Sequence, residues 1–128
     1  MAGTVTISET GIREGLSRID LVWISDSDGD ATLTTDRITG TIERITFKPS
    51  TVSGSEPSAS YDVTLTDDFG VDVLLSQGAN LSASTVSNVV PTGGDTALLP
   101  FATSGPLDLA VSNAGDTASG IVSLYFRR

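Results

Sequence analysis

The chain has no histidine, no cysteine and a single lysine, Lys48, in 128 residues. Without imidazole or thiol it lacks the side chains that most often act as general base or nucleophile near neutral pH. The same absences exclude disulfides, thiolate metal sites and the histidine-based ligand sets of zinc and copper. The cysteine count therefore does not reveal the redox compartment. Aromatic residues make up only 5% of the sequence. A core must then be built from Val, Ile, Leu and Ala, with Trp23, Phe47, Phe69, Phe101 and Phe126 as its bulky members. No apolar run reaches the length of a membrane span, and no basic segment followed by an apolar stretch opens the chain. A soluble, cytoplasmically made protein is expected.

What is present is short β-type runs and turn residues. Sixteen Asp and Glu oppose seven Lys and Arg, a net charge of -9, which disfavours nucleic acid and anionic membranes and points to protein partners. Ser and Thr are abundant, and short runs of Val, Ile, Leu and Thr alternate with clusters of Gly, Asp, Asn, Ser and Pro. This is the punctuation of an antiparallel β domain. At this length one core is expected, in a single β-sandwich or jelly-roll-like barrel of about eight strands. Residues 1–16 form an N-terminal arm or edge strand, and residues 17–128 the β-sandwich domain.

Three hairpins are expected. Arg18 to Ile24, apolar on both faces towards its end, reads as a central strand that turns at Asp28-Gly29 into Ala31 to Thr35. Tyr61 to Thr66 turns through Asp67 to Gly70 into Val71 to Leu75. Leu107 to Ser112 turns through Asn113 to Asp116 into Gly120 to Arg128. Ile38 to Phe47 reads as a strand, open to a break at Gly40. Lys48 to Ser58, with two prolines, reads as a long surface loop. Leu81 to Val90 fits a helical turn or a strand equally well.

The candidate sites are few. Asp26, Asp28 and Asp30 alternate as calcium ligands do, yet Ala31 and Arg37 stand where an EF-hand loop needs other residues, so a solvated turn is favoured over a cation site. Asp62, Asp67, Asp68 and Asp72 invite a paired-carboxylate reading, but an open strand face lacks the desolvating cleft that such chemistry requires. Trp23, Tyr61 and Tyr125 lie in apolar alternating strands and read as core. No phosphate-binding glycine motif occurs. No cofactor, no catalytic residue and no metal ligand is assigned. The candidate partner contacts are Val5 and Ile7 in the N-terminal strand and Arg127-Arg128 at the end, taken to lie beyond the last strand.

Two stretches go further. Tyr61 to Leu74 (YDVTLTDDFGVDVL) and Gly105 to Phe126, with its VSNAG turn and closing SLYF, resemble small structural proteins of tailed-bacteriophage virions. The resemblance implies a capsid decoration (cement) protein on the capsid exterior, a homo-oligomer, possibly a trimer, that binds the major capsid protein or other virion proteins. It implies no enzymatic activity. Head-to-tail completion proteins and tail-associated modules that bind host glycan or protein share the same look and stand as the alternative.

Overall fold

The computed structural model describes residues 3–11, 16–35, 38–74, 77–89 and 101–127. Among these the chain is all-β, without a helix, in two antiparallel sheets. The strands are β1 (Thr4–Gly11), β2 (Leu16–Ile24), β3 (Ala31–Thr34), β4 (Ile38–Pro49), β5 (Asp62–Thr66), β6 (Ser87–Val89), β7 (Phe101–Gly105), β8 (Asp108–Ser112) and β9 (Ser119–Arg127). The larger sheet runs β1-β2-β9-β4, with β7 and β6 sharing the far side of β4. The smaller runs β3-β8-β5.

Period-two alternation forms these strands and places the core. Ile19, Leu21 and Trp23 of β2, Ile45 and Phe47 of β4, and Val122, Leu124 and Phe126 of β9 are buried on one side of the larger sheet. They share a single core with Val63 and Leu65 of β5 and Leu109 and Val111 of β8 from the smaller sheet. Two inward faces thus close one apolar layer, the arrangement that lets a sheet cover its hydrophobic side. Trp23 and Tyr61 meet across it with ring centroids 5.6 Å apart and planes tilted by 45°.

The pairing has a simple register. β2 pairs with β9, β3 with β8, and β4 with β7, all antiparallel. The two residue numbers of a pair keep the same total, within one, from Leu16 with Arg127, through Ala31 with Val111 and Ile38 with Gly105, to the isolated bridge of Tyr61 with Leu81. The register also survives where the chain changes sheet: Ser25 N donates to Ala118 O (2.8 Å) and Thr35 N to Leu107 O (2.9 Å). Apart from β6, whose pairing with β4 (Ile45 with Val89) leaves this register, the paired limbs from Leu16 to Arg127 follow one long hairpin, wrapped so that its pairs fall alternately in the two sheets.

This corrects two of the three expected hairpins. β2 and β3 lie in different sheets, as do β8 and β9, so the turns at Asp28-Gly29 and Asn113 to Asp116 are corners between layers. The physical reason lies across the two limbs: each corner is hydrogen-bonded to the other, with Ala114 N donating to Gly29 O and Thr117 N to Asp26 O. Gly29 has a φ of +87°, and a Cβ there would stand 2.7 Å from Gly115 N. Left-handed backbone and close approach both require glycine at this crossing.

The middle hairpin forms only at its root. Asp67 N donates to Val71 O, Val73 N donates to Leu65 O, and Thr66 bridges Asp72, but among the described residues from Val71 to Leu74 no strand forms; Leu75 lies outside them. β4 runs unbroken past Gly40 to Pro49, with a register shift between Ile42 and Arg44. Within Leu81 to Val90, Ser87–Val89 is strand. Thr4–Gly11 is paired with β2 along its whole length, and Gly3 sits so close to Asp30 O that a Cβ would lie 2.3 Å away. It is an edge strand of the larger sheet.

Candidate functional site

The acidic turns are built from their own carboxylates. Asp26 Oδ1 accepts from Asp28 N (2.9 Å) and Asp30 N (3.0 Å), while Gly29 N donates to Asp26 O (3.1 Å). Asp67 repeats the pattern, its Oδ1 accepting from Phe69 N (2.9 Å) and Val71 N (3.0 Å) with Gly70 N on Asp67 O (3.1 Å). Asp first and Gly fourth is the sequence signal of this loop, because the carboxylate mimics a backbone acceptor and the glycine takes positive φ. The Asp30 N–H first, with further help from the Asp28 N–H, holds the Asp26 carboxyl below the ordinary carboxylate range against the opposing effect of desolvation. Among the described residues no group of three or more His, Cys, Asp or Glu is arranged to hold a metal ion. Asp26, Asp28 and Asp30 form a corner.

The second acidic cluster is similarly engaged. Asp62 Oδ1 accepts from Asn80 N (2.9 Å) and Oδ2 from Asn113 Nδ2 (2.6 Å). The Asn80 N–H first, and the Asn113 amide second, lower its pKa. Asp72 Oδ1 accepts from Leu65 N (3.1 Å) and Leu74 N (3.0 Å). Each of these carboxylates ties a loop to the strand beside it. A shallow depression of about 270 Å³ on the outer face of the larger sheet is lined by Val22, Lys48, Pro49 and Ile121, among others, with no carboxylate. Another, about 250 Å³, brings Asp26 and Asp116 to a wall shared with Ile24 and Thr4.

The aromatic residues divide. Trp23, Tyr61, Phe47 and Phe126 are fully buried, and burial pushes the Tyr61 phenol up to about 12. Tyr125 faces outward, half-buried, with the Arg44 guanidinium 4.9 Å from its ring centroid. Phe69 overturns its assignment to the core: it is 87% exposed. Its position inside the Asp67 loop is the reason, since it stands between the acid and the glycine at the tip, where no strand alternation applies. The Phe101 side chain lies outside the described residues.

Exposed apolar surface gathers at two places. At the β1 margin, Ile7 is 41% exposed on the face it shares with Leu21, and Val22 and Ile24 (44%) of the neighbouring β2 are exposed on the opposite, outer face. Val5 of the same strand packs on the core. At the other margin, past the end of β5, stand Phe69 and Val71. The two are opposed, since β1 lies over β3 and β5 is the far edge of the smaller sheet. Arg127 belongs to β9 rather than lying beyond it, pairs with Thr41 and Leu16, and donates from Nε to Glu43 Oε1 (3.1 Å). Arg128 lies outside the described residues. Phe69 and Ile24 were not singled out from sequence as contacts; a phenylalanine in an Asp-to-Gly turn was the available signal. Comparison with protein-family models, with curated proteins and with solved structures finds no match.

Proposed function

We propose that this chain is a structural protein of a phage virion, a decoration (cement) protein that binds the assembled capsid shell and stabilises it across subunit junctions. The observation that carries the reading is the pair of opposed apolar margins, at β1 and at Phe69, on a strongly acidic β domain whose carboxylates serve its own loops. A protein that joins neighbours needs contacts on two sides, and binding only the assembled lattice stabilises that lattice by mass action. The likeness of Tyr61 to Leu74 and Gly105 to Phe126 to small virion proteins supports the same reading, and the first of these stretches contains the Phe69 loop. A jelly roll is the finer architecture we propose for the two sheets. The orders β2-β9-β4-β7 and β3-β8-β5, and the constant register between the limbs, support it, with the Tyr61 to Leu81 bridge in the place of a last strand pair.

The test is co-sedimentation of the purified chain with phage heads that lack it, joined to cryo-electron microscopy of the virion. Saturable binding with regular density on the shell supports the reading. Density confined to neck or tail replaces it with completion or host attachment, and absence from the particle overturns it.

A further inference from the structure

We infer that β1 is a homodimerisation strand: two copies of this chain pair β1 with β1, antiparallel about a two-fold axis at Thr6, and join their larger sheets into one. This deepens the reading of the β1 margin as a contact and is tested without particles, so failure of one is distinguishable from failure of the other.

The free edge itself is the first observation. β1 is eight residues long, hydrogen-bonded to β2 throughout, and among the described residues nothing pairs with its other side. Sheet edges are ordinarily protected by lysine, proline, a bulge or brevity. β1 has no lysine or proline, its register with β2 runs without a shift, and Gly3 against Asp30 anchors its start. It is a straight and firmly held template for another strand.

The second observation selects the occupant. Centring on Thr6 sets Val5 opposite Ile7, Thr4 opposite Ser8, and Thr6 opposite itself. Apolar and hydroxyl pairs of this kind are favourable across antiparallel strands. Glu9, the one charged residue of β1, then falls opposite Gly3, so no like charges meet. Centring on Ile7 would set Val5 against Glu9, and centring on Val5 would set Ile7 against Gly3. Those two registers pair one apolar residue with itself and leave the other without an apolar partner; only the Thr6 register gives both an apolar partner, and it does so on the face that Val5 and Ile7 share with Trp23 and Leu21. The half-exposed Ile7 of each copy is then covered by Val5 of the other. An interface of this kind is isologous and closes at two copies, so the assembly is built from dimers instead of the trimer implied by the resemblance.

Because the chain has no cysteine, single thiols report the register directly. Directly opposed residues of antiparallel strands lie within disulfide range. Thr6→Cys is expected to form a disulfide-linked dimer under mild oxidation. Thr4→Cys and Ser8→Cys should each stay monomeric on a non-reducing gel, yet cross-link when mixed. Sedimentation of the wild-type chain at physiological salt should show a dimer, and Thr6→Lys, which opposes two ammonium groups at an exposed position, should give a folded monomer with the wild-type circular-dichroism spectrum, whose melting temperature no longer rises with protein concentration as that of the dimer does. A monomeric wild type, a dimer that survives Thr6→Lys, or cross-linking at Thr4 or Ser8 alone would each overturn the inference.

Discussion

Ser25 and Ala118 hold each other across the first corner through Ser25 N to Ala118 O (2.8 Å) and Ala118 N to Ser25 Oγ (2.9 Å), with a longer contact from the Ser25 hydroxyl to Ala118 O (3.3 Å). In a regular ladder the second acceptor would be the Ser25 carbonyl; here the hydroxyl takes its place. Thr35 repeats the device at the next corner, where Thr35 N donates to Leu107 O and Leu107 N donates to Thr35 Oγ1 (3.0 Å). Both side chains are buried. Where the strand turns into the other sheet, the side-chain hydroxyl of the same residue keeps the opposite N–H satisfied.

Replacing Ser25 with Ala should therefore destabilise the fold by about 1–3 kcal/mol, the penalty for leaving a buried donor without a partner. The Ser25 hydroxyl also donates to Gly115 O at 2.6 Å, so the loss falls on both corner loops. Urea denaturation measures it, and an unchanged midpoint would contradict the role assigned to the hydroxyl.

Thr35→Val keeps the shape and removes the acceptor for Leu107 N. A loss of about 1–3 kcal/mol is expected, while Thr35→Ser, which keeps the oxygen, should retain most of the stability. Equal losses for the two variants would assign the effect to packing.

Phe69→Ser should leave the melting temperature unchanged, because the ring is exposed and substitutions at such positions fall within about 0.5 kcal/mol. On the proposed decoration role, binding to phage heads should weaken at least tenfold, as expected for an aromatic anchor at a contact. Wild-type affinity in the variant would remove this margin from the shell contact.

Asp26 and Asp62 make stability depend on acid. Both carboxyls have pKa values below the ordinary 3.8 in the folded chain, so their contribution is complete above that value and is lost as pH falls through the lower folded one. Urea midpoints should be level from neutrality to about pH 4 and fall below it, and Asp62→Ala should flatten that fall. Tyr61 acts at the other end. Burial raises its pKa from 10.0 to about 12, so the stability due to its neutral form is complete below pH 10 and lost as pH rises towards 12. Tyr61→Phe should remove that alkaline loss, as urea midpoints measured across the interval would show.

The alternation of β2, β8 and β9 was legible because one face of each is buried, and that alone places Leu21, Leu109 and Leu124 in the core. Where the chain went after each turn was not. Asp26 and Asp67 make the same hydrogen bonds with the same spacing to glycine, yet one loop joins two sheets and the other folds a strand back on itself. Turn chemistry records that the chain reverses, not which layer receives it. The deciding contacts, Gly29 with Ala114 and Ser25 with Ala118, lie far apart in sequence. Phe69 misled for a related reason: hydrophobicity was counted without regard to its place at a loop tip. The alternation of Val5 and Ile7 with Thr4, Thr6 and Ser8 was legible as an arm or an edge strand, and the pairing of β1 with β2 decides between the two.

The constant register between the two limbs turns segment length into a paired quantity. One residue inserted into Ser27 to Asp30 shifts every later pair by one and sends each core side chain of β3 to solvent, unless the loop from Asn113 to Ala118 gains a residue as well. Length changes in this protein are thus expected to come in matched couples, one on each limb. The exposed tip from Thr51 to Gly54, between β4 and β5, belongs to no strand pair, and there single insertions have more freedom.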